Sequence, residues 1–553
     1  MNNDELESPR PEYLDTVDRV FVNQAGYLPD DEKYAVITFP ATYFAVVDER
    51  GTVCFSGIPI PFGRDEASGD SVCRADLTGL RLPGKYRVIV GKEMSHVFSV
   101  GDDVYRPCFD KLMKAFYFQR CGCELEERFA GMWSHKKCHT STAILWENKN
   151  ISVDVSGGWH DAGDYGRYTT AAAVALAHLF YGWKMFPEVF LRQDLDIPGK
   201  PSDMPDVLIE CRYELEWLLK MQRFDGAVWH KVTTFRHAPF IMPEDDLEQL
   251  YVFPISSSAT ADFAAVTALA STIYRRYDAR FADWLLKCSE AAYDWLEKNP
   301  AFIGFQNPEG CDTGVYGEHS DADNRFWAAA ELYCATGEEK YYSRTMELIN
   351  RDFSKTALGT ASVGGFGSLA LLLHGRGSAA VLNMLQKLFV RQAEELAGIC
   401  EKSGWGASIT PDQYFWGSNM KILTNGMIFI IADHLERNSL SGNPHFRKYA
   451  AMQLNYLLGT NATGYSFVTG VGDLCVNYPH HRPAFADRVE ECIPGLVSGG
   501  PNSRMEDSYA AMLLPKDTPP MKCFSDNTEC YSLNETAIYW NSPAVFLVAG
   551  LLS

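Results

Sequence analysis

The sequence predicts a multidomain protein, an N-terminal all-β sandwich of immunoglobulin-like type followed by a large all-α domain. Three observations predict it. The chain has 553 residues, too long for one small core. From Arg19 to about Val100 it reads as short strands broken by turn signals. From Pro107 onward the pattern turns helical and stays so to the end.

Residues 1–18 are polar and are expected to be frayed. Strand-like runs follow at Arg19-Val20-Phe21-Val22-Asn23, Tyr34-Ala35-Val36-Ile37-Thr38, Tyr43-Phe44-Ala45-Val46-Val47 and Lys85-Tyr86-Arg87-Val88-Ile89-Val90, separated by turns such as Arg50-Gly51 and Pro83-Gly84. About seven strands in about 85 residues suit an immunoglobulin-like sandwich. Nothing in it looks catalytic. Gly101-Asp102-Asp103 reads as a linker, which divides the chain into domains 1–103 and 104–553. Helical periodicity then recurs near 108–121, 169–186, 205–222, 258–276, 280–298, 324–336, 339–353, 365–375, 378–402, 421–438, 445–458 and 534–551. In one case Phe281, Leu285, Cys288, Ala292 and Trp295 alternate steps of four and three. Periodicity alone gives a large all-α domain and no closure.

Composition narrows the partners. Hydrophobic residues make up 46% and charged residues 22%, as in an ordinary water-soluble fold. The formal charge of −21 repels nucleic acid and anionic membranes and suits a neutral or cationic ligand. No apolar run is long enough to span a bilayer. The start, Met1-Asn2-Asn3-Asp4-Glu5-Leu6-Glu7, has no basic or apolar region of an export signal. With 15 scattered cysteines, this leads to the expectation of reduced thiols in a cytoplasm.

The chemistry centres on Gly157-Gly158-Trp159-His160-Asp161-Ala162-Gly163-Asp164-Tyr165-Gly166-Arg167-Tyr168. Its glycines favour a tight loop rather than a regular element. A helix follows, with Leu176, Leu179, Phe180 and Trp183 on one face. Asp161 and Asp164 thus lie three residues apart on a loop at a helix entrance, among aromatic rings that could stack on a sugar. In isolation they read equally as turn or capping residues. Glu535, in Asn534-Glu535-Thr536, is expected to open the last helix, where a first-turn acid favoured by the helix dipole is the plainer reading. Asn477-Tyr478-Pro479-His480-His481-Arg482 could bind hydroxyls or form structural ion pairs, and Tyr414-Phe415-Trp416-Gly417-Ser418-Asn419 is an aromatic platform or a piece of core.

As an ordered set these segments resemble glycoside hydrolase family 9, the inverting cellulase family. The likeness rests on Val22-Asn23-Gln24-Ala25-Gly26-Tyr27, the 157–165 loop, Trp416-Gly417-Ser418-Asn419, Pro479-His480-His481-Arg482 and Asn534-Glu535. It implies an (α/α)6 barrel with an open cleft. It implies Glu535 as general acid, Asp164 as general base and Asp161 as its partner in holding water. His480, Arg482 and Tyr531 would bind substrate, with Trp416 as a stacking floor. Such chemistry needs an acid on the leaving oxygen and a base activating water on the opposite face of the sugar.

Cys121, Cys138, His139 and His160 have zinc's preferred donors and could converge, with Cys123 as rival first ligand. Family members with the same front module carry zinc at matching positions, so a structural zinc stapling the catalytic loop is implied. Calcium is a further possibility implied by the resemblance. Asp323-Asn324-Arg325-Phe326-Trp327 stands where the family has an Asp-Glu pair, with Asn324 replacing the acid. Asp312, Glu318 and Asp321 could compensate, or form a solvated acidic face. The leading reading is an inverting hydrolase of β-1,4-glucan oligosaccharides, either an endoglucanase or an exo-acting cellodextrinase. An exo-β-glucosaminidase on chitosan oligosaccharides keeps the mechanism and changes the sugar, and a non-catalytic sugar-binding protein is the third reading. Oligomeric state leaves no mark in the sequence.

Overall fold

The computed structural model describes residues 19–199, 203–438, 442 and 445–553. The expectation for residues 1–18 lies outside these. The N-terminal part is a sandwich of two antiparallel sheets. Strands β1 (Val20–Phe21), β2 (Tyr34–Ile37), β3 (Phe44–Asp48), β4 (Val53–Gly57), β5 (Ile60–Arg64), β6 (Ser71–Asp76), β7 (Gly84–Val90), β8 (Glu93–Met94) and β9 (Phe98–Val100) occur in that order. One sheet runs β1-β2-β6-β5 and the other β4-β3-β7-β8, with β9 beside β7. Their inward faces bury Val20, Ala35, Ile37, Phe44, Val46, Ala75 and Val88 as one core, as alternation along the strands requires.

The remaining chain alternates outer and inner helices. Arg106–Phe118, Asp206–Lys220, Ala279–Lys298, Glu339–Leu348, Ala379–Lys402 and Arg447–Leu457 each keep a solvent-facing stripe. Thr169–Met185, Ser257–Tyr274, Ala322–Thr336, Gly364–His374, Ser418–Arg437 and Ile538–Leu552 are buried nearly all round. A helix with small or apolar residues on every face can only be an interior one, and these six form the inner ring of an (α/α)6 barrel. Ser256, Asp278 and Ser378 each cap a helix by accepting a backbone N–H with the side-chain oxygen. The last helix touches both Thr169–Met185 and Ser418–Arg437, which brings the final inner helix back to the first. Among the described residues no helix is long and apolar enough to cross a membrane.

Two features depart from the periodicity reading. The helical part also holds a mixed five-stranded sheet, in the order Asn148–Val153, Ala143–Leu145, Tyr251–Val252, Lys231–Thr233, Arg167–Tyr168. Its strands are two to six residues long, too short to show a period of two. Glu535 does not open the last helix. That helix begins at Ile538, and Glu535 lies in an extended step after the single turn Tyr531–Asn534.

The motif Val22–Tyr27 serves as the joint between the two parts. Asn23 Nδ2 donates to Asn455 Oδ1 at 2.9 Å, and Gln24 Nε2 donates to the carbonyl of Gly464 at 2.8 Å. Arg74 donates to the carbonyls of Ser403 and Gly404, Asp65 accepts from Gly404 N, and Trp405 Nε1 donates to Ser68 Oγ. The sandwich is thus bolted to the barrel by buried polar bonds as well as by apolar contact.

Candidate active site

The 157–166 loop is held from several sides. Gly158 has φ +76° and backs onto the Trp217 ring, where a β-carbon would lie 2.7 Å from Trp217 Cγ. Gly163 is tighter still: a β-carbon there would lie 1.8 Å from the His480 carbonyl oxygen. Gln119 Nε2 donates to the carbonyls of His160 and Ala162, while its Oε1 accepts a hydrogen bond from His481 Nε2. The segment after the loop pairs with Lys231 and Val232.

Backbone pairing brings the distant carboxylate to this loop. Ala162 bridges Ala537, and Ile538 N donates to the carbonyl of Asp161 at 2.8 Å. His480 bridges Glu535, and Arg482 N donates to the carbonyl of Gly163 at 3.0 Å. Isolated backbone bridges therefore tie together three separate segments, and Asp161, Asp164 and Glu535 lie close enough there to shift one another's ionisation.

Glu535 and Asp161 are shifted up in pKa and Asp164 down. Burial and the nearby charge of Asp164 push Glu535 well above the ordinary carboxylate range. Burial also pushes Asp164 up, but the charge and hydrogen bond of His237, with Arg482 and the Gly166 N–H, outweigh it and hold Asp164 well below that range. Burial raises Asp161, and the Asp164 charge adds to this against the hydrogen bond from Tyr316. A protonated acid beside an ionised base is the division of labour that glycoside cleavage needs.

Two residues that the sequence did not single out touch these acids. His237 Nδ1 lies 2.7 Å from Asp164 Oδ2, forming an ion pair when the ring is protonated. The Tyr316 hydroxyl donates to Asp161 Oδ2 at 2.5 Å, leaving Asp161 Oδ1 buried without a partner among the described residues. Tyr316 has φ +46°, a strained geometry for a tyrosine and one that concentrates at functional sites. Its signal was the Gly314-Val315-Tyr316-Gly317 run, an aromatic between glycines like the 157–166 loop. His237 has no comparable signal.

The expected substrate residues surround Glu535. Trp416 is 41% exposed, and its ring centroid lies 5.2 Å from that of Tyr531, which in turn lies 5.8 Å from the His480 ring. Burial keeps His480 neutral by moving its pKa down to about 4. Its Nδ1 lies 2.6 Å from the Thr528 carbonyl, so Nδ1 carries the proton and Nε2 is left as an acceptor. Arg482 is buried, with Nε donating to the Ala238 carbonyl and Nη1 to that of Gly163. Most of its hydrogen bonding therefore holds the loop, more than the sequence reading assigned it.

The description Glycosyl hydrolase family 9 matches residues 105–548, and Cellulase N-terminal ig-like domain matches residues 15–95. The chain belongs to glycosyl hydrolase family 9. A cellodextrinase of Butyrivibrio fibrisolvens is 45% identical, across 97% of this chain and 100% of the relative. Endoglucanase D of Acetivibrio thermocellus is 32% identical, across 97% of this chain and 83% of the relative. Among solved structures, a single-mutant thermostable endoglucanase from Alicyclobacillus acidocaldarius superposes with a TM-score of 0.91 at 34% identity, covering 97% of this chain and 100% of its own. A Zn-binding triple mutant of a family 9 endoglucanase gives 0.89 at 34% identity, covering 95% and 100%.

Next to the 157–166 loop of this family 9 chain, Cys121, Cys138, His139 and His160 are all buried. Their ligand atoms lie within 4.8 Å of one another. His139 Nε2 lies 3.2 Å from Asp246 Oδ2, and His139 Nδ1 lies 3.2 Å from His160 Nε2. Asp246 thus fixes the tautomer that turns the Nδ1 lone pair into the cluster. Two thiols and two imidazoles fit a tetrahedral zinc. Cys123, the rival ligand, is not in this group.

Of the residues expected for calcium, Glu318 and Asn324 meet, and burial together with the charges of Asp262 and Asp323 raises Glu318 to about 9. Asp312 Oδ1 accepts from His237 N, Asp321 pairs with Arg325, and Asp323 Oδ2 accepts from Ser362 and Val363. Asn324 Nδ2 donates to Glu318 Oε1 and to Asp262 Oδ1, on the helix Ser257–Tyr274, a residue given no site role in the sequence analysis. The amide N–H group lies between two carboxyl groups, while Asp262 Oδ2 and Asn324 Oδ1 stay buried without a partner among the described residues.

Proposed function

We propose that the cleft hydrolyses short β-1,4-linked cello-oligosaccharides with inversion, with Glu535 as acid and Asp164 as base. Glycoside hydrolysis of β-1,4-glucans is what the family and the full-length relatives share. Those relatives carry names of cellodextrin and glucan enzymes, and nothing favours the amino-sugar reading. One observation carries the residue assignment: the backbone pairing that sets Glu535, held protonated, beside a loop whose Asp164 is held ionised.

In this reading Glu535 gives its proton to the glycosidic oxygen as the bond to the anomeric carbon breaks. Water attacks that carbon from the opposite face and passes a proton to Asp164, whose charge His237 has stabilised. Asp161 offers its unpartnered Oδ1 to the same water while Tyr316 fixes its Oδ2. Trp416 and Tyr531 stack on the sugar, and His480 Nε2 accepts from a hydroxyl. A zinc held by Cys121, Cys138, His139 and His160 would cross-link the segments behind the loop and leave the chemistry to the carboxyl groups. The Zn-binding structural relative supports that metal. The domain division at 103/104 falls between β9 and the first outer helix. Fifteen unpaired cysteines favour a reducing compartment, the cytoplasm. The match to a cellodextrinase along the whole chain supports short oligosaccharides as substrate.

The test is the product stream. Cellotetraose should be cleaved faster than carboxymethyl cellulose, with the α-anomer released first in NMR of fresh product. Asp164→Asn and Glu535→Gln should each lower turnover by at least about a hundredfold. A β-anomer released first would remove Asp164 as base. An early fall in the viscosity of soluble polymer would make the enzyme an endoglucanase.

A further inference from the structure

Tyr316 reaches Asp161 from an unusual support. Residues 299–321 form neither helix nor strand, and irregular segments of that length need specific anchors to hold a side chain in place. The anchor lies on the short strand Lys231–Thr233. Lys231 is fully buried. Its Nζ donates to Asn307 Oδ1 at 2.7 Å, to Thr313 Oγ1 at 2.8 Å and to the Gly314 carbonyl at 2.7 Å. An ammonium has three protons, and each has an acceptor. The rings of Phe253, Phe305 and Tyr168 lie 4.6, 5.4 and 5.6 Å from the nitrogen, so the ion is enclosed by π faces where water would otherwise be. Leaving a charge so buried is costly unless its partners are all in place.

The neighbours of Lys231 grip the same segment. His230 Nε2 lies 2.8 Å from the Val315 carbonyl, and its ring stacks on Phe305 at 4.1 Å. Thr233 Oγ1 lies 3.0 Å from Thr313 Oγ1. Further along, His237 N donates to Asp312 Oδ1, and the His237 ring then meets Asp164. On one backbone edge the strand pairs Lys231 with Tyr168 and Val232 with Arg167, directly after the 157–166 loop. Residues 230–237 therefore lie between the two loops that must agree, one carrying Asp161 and Asp164, the other carrying Tyr316.

We propose that Lys231 is a positioning residue for the hydrolysis: its buried ammonium locks residues 313–316 in register so that Tyr316 fixes the Asp161 carboxyl. It acts through Tyr316 and touches no substrate. The barrel helices do not depend on it, so its loss loosens the site before it loosens the fold. The proposal rests on the assignment of Asp161 and Asp164 above.

The test is a double-mutant cycle on the full chain with cellotetraose, with thermal melts of every variant. Lys231→Met keeps length and removes the charge; kcat is expected to fall at least about tenfold with KM changed less than about threefold. In a Tyr316→Phe background the same change is expected to cost less than about twofold, because the group it positions is already gone. Wild-type kcat in folded Lys231→Met would overturn the proposal, as would a full tenfold loss in the Tyr316→Phe background. If Lys231→Met does not fold, Thr313→Val removes one acceptor with little change of shape, and its loss of kcat must likewise vanish without the Tyr316 hydroxyl. Asp164→Asn is measured alongside. An active Asp164→Asn sinks the site assignment itself, whereas an inactive one beside a wild-type Lys231→Met sinks the positioning role alone.

Discussion

Replacing Gly163 by alanine tests the site where two backbones come closest. The added methyl would sit 1.8 Å from the His480 carbonyl oxygen, 2.9 Å from its carbon and 3.3 Å from His481 Cα. Contacts below 3.0 Å are not tolerated, so the 161–164 loop and the 480–482 segment must part by about 1.2 Å, on the scale at which misplaced groups cost about a hundredfold in rate. The obstacle is backbone, so no rotamer change relieves it. Parting also strains the bonds from Arg482 N and Nη1 to the Gly163 carbonyl. At about 0.5–1.5 kcal/mol for a neutral bond, and more for the charged guanidinium, the stability loss is about 2–4 kcal/mol. The expected result is a folded protein with a lowered melting temperature, and kcat on cellotetraose down about a hundredfold with a smaller change in KM. Near-wild-type kcat in Gly163→Ala would show that the loop and the His480–Glu535 segment need not be held this closely, and would refute the account of how acid and base are spaced.

Two further outcomes follow from the same geometry. His237→Ala removes the cation that holds Asp164 down, so the base gains proton affinity and the acidic limb of the rate profile moves to higher pH. His237 is 37% exposed on its side chain, so solvent screening points to the low end for a charged bond, about 1.5 kcal/mol or about one pH unit, and an unmoved limb would detach His237 from the base. Protein purified without chelator should carry about one zinc per chain, and stripping it should lower the melting temperature more than it lowers kcat; elemental analysis finding no zinc would end that assignment.

The architecture was largely legible in the sequence because helices of ten residues or more carry their own period. All twelve periodic stretches became helices, their ends shifted by a few residues as cap chemistry and fraying allow. What the sequence could not show was built by pairing across distance. The five-stranded sheet uses strands such as Lys231–Thr233 and Tyr251–Val252, each defined only by its partner. Glu535 looked like a helix-opening acid because Ile538–Leu552 is so apolar that the preceding residues seem to belong to it. The bridges to His480 and Ser498 pull those residues into extended backbone instead.

The site shows the same divide at the level of single residues. Asp161, Asp164 and the Cys/His set sit where glycine runs or metal-type donors mark them, so they stand out as candidates from their local sequence. His237, Tyr316 and Lys231 are a lone histidine, a lone tyrosine and a lone lysine. Beyond the glycines that flank Tyr316, nothing in their local sequence distinguishes them from surface residues, and a buried lysine is the least expected of the three. Their roles arise because residues 230–237 run between the two loops. The strand's register puts Lys231 opposite Tyr168 and faces its neighbours toward residues 312–315, and one more turn of chain sets His237 on Asp164. A shift of that strand by one residue would turn Lys231 to the other face, removing the anchor of Tyr316 and displacing His237 from the base together. Fixing Asp161 and Asp164 from one segment thus couples the two carboxylates that face the attacking water, and explains why a stretch with no catalytic group of its own is buried and hydrogen-bonded on both edges.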